Sequence, residues 1–116
     1  MGTNYVGTYS VVNATEDEIS NVNVQHVNND NPDPSACAAT LAVGEAVYST
    51  LNSNSDYHDY WNISFVRNGN TYTKSDFEAN YETDDMGLGV VIILYPTKFS
   101  VIFPNSSNNS NIDYGN

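Results

Sequence analysis

Short runs of β-branched and aromatic residues recur about every ten residues along this chain, with no helical segment interleaved between them. This spacing is what most narrows the folds available. The runs at 5–12, 19–26, 41–45, 46–51, 61–66, 71–74, 89–95 and 98–103 are separated by Asn, Asp, Gly, Pro and Ser, residues that close turns or interrupt a ladder. Successive side chains on a strand point to opposite faces. Val22, Val24 and His26 therefore share an apolar face, with Asn21, Asn23 and Gln25 on the other. Trp61, Ile63 and Phe65 alternate in the same way, and Trp61 is expected in the core. Asn68-Gly69 tolerates the positive φ of a type I′ turn and predicts a hairpin. Residues 89–95 are apolar on both parities, as a central strand requires.

The pattern predicts an all-β fold: a two-sheet antiparallel β-sandwich of about seven or eight strands with at most one short helical turn. Ser75-Asp76-Phe77-Glu78 has the spacing of a capping box and places that turn at 75–80. A chain of 116 residues suits a single domain. Residues 1–104 are read as the sandwich and 105–116 as a polar tail. In that tail Ile112 and Tyr114 share a parity, which predicts an edge strand added to the same or a neighbouring subunit and makes them the candidate interface residues.

Three Lys and Arg against 14 Asp and Glu give a formal charge of −11. Such a field repels phosphate, which argues against nucleic acid as a partner. The longest apolar stretch is too short to span a bilayer, so no membrane insertion is expected. The opening MGTNYVGTYS lacks a cationic segment followed by an apolar run, and the lone Cys37 cannot form an intrachain disulfide. Both features suit a cytoplasmic protein, with a secreted mature fragment as the alternative. The N-x-S/T triplets at Asn13, Asn62, Asn105 and Asn108 are read as chance matches in a chain rich in Asn, Ser and Thr.

The chemical motifs are sparse. His26, Cys37 and His58 lack metal-ligand spacing, so no metal or cofactor is expected. His26 is read as a core histidine donating a buried hydrogen bond, and Cys37 as a small hydrophobe. No nucleophile elbow is present, and Gly87-Leu88-Gly89 lacks the further glycine of a dinucleotide loop. The acidic segments 29–33 and 82–85 do not fit an EF-hand and are read as solvated loops, with 28–35 a long exposed connection. No catalytic residue is assigned. Asp56, Tyr57, His58, Asp59 and Tyr60 combine flat rings with hydroxyl-binding partners, the ingredients of a sugar site.

The order Val12-Asn13-Ala14-Thr15, Val22-Asn23-Val24-Gln25-His26, Leu41 with Gly44-Glu45, Asp59-Tyr60-Trp61-Asn62-Ile63-Ser64-Phe65, Gly69 with Tyr72, and Phe99 to Pro104 resembles one small β-sandwich family. It is the family named for proteins up-regulated in long-lived insulin-receptor-mutant nematodes, with fungal relatives. In Asp59-Tyr60-Trp61, Tyr60 stands where that family's D-W-W element usually carries a further Trp beside the one at Trp61. The resemblance implies a sandwich without known catalytic activity, in which subunits can pair. The expected function is therefore a non-enzymatic binding or interaction module that self-associates or pairs with a related subunit as a homo- or hetero-oligomer. The alternative is a lectin-like glycan binder using residues 56–61.

Overall fold

The computed structural model describes residues 2–85, 89–106 and 109–115. Gly87 and Leu88 of the Gly-x-Gly reading and the triplet at Asn108 lie outside the described residues. Ten strands follow in order: β1 (Asn4–Asn13), β2 (Ile19–Asn28), β3 (Asn31–Pro32), β4 (Ala36–Leu41), β5 (Ala46–Asn54), β6 (Asp59–Arg67), β7 (Asn70–Glu78), β8 (Gly89–Leu94), β9 (Lys98–Ile102) and β10 (Asn109–Asp113). A 3-10 turn spans Thr83–Asp85. The first sheet has the order β10-β9-β8-β1-β5; in the second, β3-β2-β6-β7 is joined by β4, which also pairs with β2. The sheets face one another across a core that includes Tyr9, Val24, Trp61, Phe65, Ile92 and Phe99, each fully buried. An all-β sandwich is what the alternating pattern required.

All pairings are antiparallel except β1 with β8, which run parallel with Thr8 opposite Gly89 and Asn13 opposite Leu94. A parallel pair needs a long crossover. Here most of the chain lies between the two strands, so the connection is available.

Two strands beyond the expected number are β3 and β10. Asn29-Asp30 forms a two-residue turn with both φ positive, 54° and 57°, and closes the β2–β3 hairpin. Pro32 is accommodated because β3 lies at the margin of its sheet, where a missing N–H costs no ladder bond. Residues 28–35 are thus a hairpin and a bend rather than one long exposed loop. The strand expected at 41–45 lies earlier in the chain, at Ala36–Leu41, and shares only Leu41 with that expectation, while residues 42–45 turn through Gly44 at φ 83°. Asn68 (φ 50°) and Gly69 (φ 79°) close the β6–β7 hairpin.

No helical turn forms at 75–80. Residues 75–78 continue β7, with Asp76 at φ 52° and a register slip opposite Trp61 and Ile63. The capping spacing loses because Phe77 packs on Phe99 at 5.5 Å, a contact that one helical turn would forfeit.

Residues 109–113 pair with β9, Ile112 opposite Phe99. Tyr114 then lies among Phe65, Tyr72 and Phe99, at 5.2, 5.5 and 5.6 Å, and donates its hydroxyl to the Tyr95 carbonyl at 2.9 Å. Burial pushes that hydroxyl's pKa up. The Gly115 amide donates to Thr73 on β7, so this segment bridges the two sheets. Ile112 and Tyr114 are half-buried and pack against the core of their own chain, so the expected edge strand joins the same subunit here, with Tyr114 held in the aromatic gap between β7 and β9.

No helix among the described residues is long and apolar enough to cross a membrane.

Candidate functional site

The ends of β2 and β5 meet the starts of β1 and β6 at one end of the sandwich, and the polar side chains gather there. His26 occupies a core position on β2 that strand parity would give to a hydrophobe. Its Nδ1 lies 2.5 Å from Asp33 Oδ2 and its Nε2 lies 2.7 Å from Asp59 Oδ1. The three residues are 0, 6 and 1% exposed. An ionised carboxylate can only accept, so a carboxylate at each ring nitrogen is the geometry that suits a doubly protonated, cationic ring. Burial alone pushes the ring pKa down. The hydrogen bonds to Asp33 and Asp59, and their negative charge, outweigh burial and hold it above the ordinary value. The Trp61 ring packs against the imidazole at 4.8 Å between centroids, tilted by 51°.

Local geometry delivers each carboxylate. Pro32 and Pro34 break the strand line between β3 and β4, and the bend turns Asp33 inward. The Pro34 carbonyl is pinned by the Tyr9 hydroxyl at 2.5 Å and the Ser49 hydroxyl at 2.6 Å. Burial raises the Tyr9 hydroxyl pKa against the lowering effect of its hydrogen bonds. Asp33 also accepts from the Asn52 backbone and side-chain amides, both at 2.9 Å. Asp59 opens β6 on the same parity as Trp61. It accepts from Asn28 at 3.0 Å, Ser53 at 2.8 Å and the Tyr81 amide at 2.7 Å.

Both His26 ring nitrogens are occupied by carboxylates and the residue is fully buried, so the ring presents no atom to a substrate or a solvent-borne ion. Ser53 donates to Asp59 rather than to the imidazole, so the relay that activates a serine nucleophile is not assembled. Among the described residues no group of three or more His, Cys, Asp or Glu has metal-binding geometry.

Asp85 is a second buried carboxylate. It accepts from the Glu82, Asn105 and Ser106 amides at 3.0, 2.9 and 3.0 Å, and from the Ser106 hydroxyl at 2.5 Å. Burial pushes its pKa up, but these bonds win and hold it below the usual carboxylate value. Asp33 and Asp85 are therefore internal anchors, which corrects the reading of both acidic segments as solvated loops. Cys37 is exposed on β4 and does not pack as a small hydrophobe.

The five residues proposed for sugar binding divide. Asp56, Tyr57, His58 and Tyr60 line a shallow hollow of about 250 Å³ together with Asn29 and Asp30. Asp59 faces the core instead, because its strand parity is that of Trp61. Exposed His58 pairs with Glu78, whose pKa is lowered by Asn80 first and His58 second. Beside this hollow lies a larger groove of about 440 Å³, lined mainly by Asn4, Asn28, Asn29, Asn31, Asn52 and Asn54, with Tyr57 at its rim. In the sequence Asn28, Asn29, Asn31, Asn52 and Asn54 read only as connection residues, and nothing marks Asn4.

The outer face of the first sheet is the other feature without a structural explanation. Cross-strand register sets Val12 between Ala46 and Ile93, and Ser10 between Tyr48 and Val91, with Ile102 beside Val91. Tyr48 is 76% exposed, while Val6, farther along β1, lines the asparagine groove instead. No Asp or Glu occurs in β1, β5, β8 or β9.

A scan of protein-family models and a search of curated proteins found no match to this chain.

Proposed function

We propose that this protein is a non-catalytic interaction module that pairs with a second copy of itself through the outer face of its first sheet. The observation that carries the reading is the acid-free surface of β1, β5 and β8, with an apolar patch of Val12, Ala46, Tyr48, Val91 and Ile93 at one end, on a chain of charge −11. Like-charged copies repel, and a surface that places its 14 carboxylates elsewhere offers the approach with the least repulsion. The five strands contribute 10, 9, 6, 5 and 5 residues, so at a rise of about 3.3 Å and a spacing of about 4.8 Å the face measures roughly 550 Å². That is the low end of interface sizes and suits a weak, concentration-dependent pairing. The subunit pairing implied by the sequence resemblance points the same way.

Sedimentation velocity of the wild type and of Ile93→Glu tests the reading. The wild type is expected to associate with rising concentration, and more tightly as salt screens the repulsion between copies. Ile93→Glu is expected to stay monomeric at a cost of no more than about 1 kcal/mol, since its half-buried side chain faces away from the core. A wild type that remains monomeric at high-micromolar concentration and high salt, or a variant that associates like the wild type, contradicts it.

A further inference from the structure

We infer that the asparagine-lined groove is a binding site for a neutral saccharide. At about 440 Å³ it falls within the range of small-molecule sites, about 300–1,000 Å³. Its lining contains six asparagines and no charged side chain, although one residue in eight of this chain is acidic. Each amide offers both donors and acceptors, which matches the hydroxyls of a sugar, each itself donor and acceptor. The exposed Tyr57 ring and the Val6 side chain provide apolar faces for the C–H side of a pyranose. An anionic ligand meets neither a cation in the groove nor a favourable field around it.

The groove is also held in shape before any ligand arrives. Asn52 is fixed at both its backbone and side-chain amides by Asp33, and Asn28 is fixed by Asp59. The Asn54 side chain donates to Asn4 Oδ1 at 2.7 Å and accepts from the Asp56 amide at 2.9 Å, which with the bond from the Tyr57 amide to the Asn54 carbonyl orders the loop bearing Tyr57. Asn4 Nδ2 and Asn52 Oδ1 have no protein partner among the described residues and are the polar atoms offered to a ligand. The buried imidazolium and its carboxylates thus act as the support for a rigid polar surface, the arrangement that limits the ordering cost of binding.

The test is a titration of the ¹⁵N-labelled full chain, followed by NMR, with cellotriose, maltotriose, mannotriose and chitotriose, and with trigalacturonate as the anionic control. At least one neutral trisaccharide is expected to shift the side-chain amides of Asn4 and Asn52 and the backbone amide of Tyr57 saturably. Trigalacturonate should shift none of them. Tyr57→Ala is expected to weaken that binding about tenfold, the effect of one stacked ring, without changing the melting temperature. Asn4→Ala, at an exposed position, should weaken it independently. The proposal is overturned if none of the four neutral sugars binds at millimolar concentration, if binding survives both substitutions unchanged, or if trigalacturonate binds as tightly.

Discussion

Replacing His26 with alanine is expected to cost about 3–5 kcal/mol, because it leaves two buried carboxylates facing one another with no cation between them. A small domain has about 5–15 kcal/mol in total, so the variant should be largely or wholly destabilised at ordinary temperature. Urea unfolding followed by tryptophan fluorescence reads this directly, since Trp61 packs against the imidazole at 4.8 Å. The pH dependence carries a sign. The folded pKa of His26 is raised, so its contribution is complete below the ordinary value of about 6.5 and is lost as pH rises through the raised value. The stability gap between wild type and His26→Ala should therefore be widest in mild acid and shrink on the alkaline side. An equal gap at every pH would mean that the ring contributes only by filling space.

Trp61→Ala should cost a similar amount, about 3–5 kcal/mol, for a different reason. The indole is fully buried, meets Tyr9 edge-on at 5.5 Å and Phe103 at 6.5 Å, and donates to the Ala79 carbonyl at 2.8 Å. Truncation opens a large cavity, orphans that carbonyl and removes the ring packed against His26. Because Trp61 and His26 are in contact, their losses should not add, and the double variant is expected to fall short of the sum. A Trp61→Ala protein that melts within a few degrees of the wild type would contradict this account of the core.

The sequence made the strand runs legible because burial on one face imposes period 2, and Trp61, Ile63 and Phe65 obey it without exception. The Asn68-Gly69 hairpin was legible because few residues accept positive φ. Asn29-Asp30 closes the same kind of turn, yet the nearby prolines argued for a loop. What they do is break an edge strand and send Asp33 inward. The partners of His26 lie seven and 33 residues away, so their convergence belongs to topology rather than to any local motif. One signal was available and missed. Asp59 shares the parity of Trp61, and a carboxylate on a core face demands a partner. The groove was invisible for a related reason, since its asparagines come from β1, β5 and the β2–β3 turn, which adjoin only once the sheets pack. The open apolar face was hidden by β8, whose residues are apolar on both parities and suggested burial on both sides. In a two-sheet sandwich only Val90, Ile92 and Leu94 face the core, which leaves Val91 and Ile93 outside.

The central claim is that His26 is a charged structural element, the cation that holds Asp33 and Asp59 beneath the groove. Nitrogen-15 NMR of the histidine rings tests it most directly, because the chain has only two histidines, and His26→Ala or His58→Ala assigns the signals. At neutral pH the folded protein should show both His26 ring nitrogens protonated, with slowly exchanging protons bonded to the two carboxylates. A neutral His26 ring with one unprotonated nitrogen in the folded protein at that pH would contradict the account.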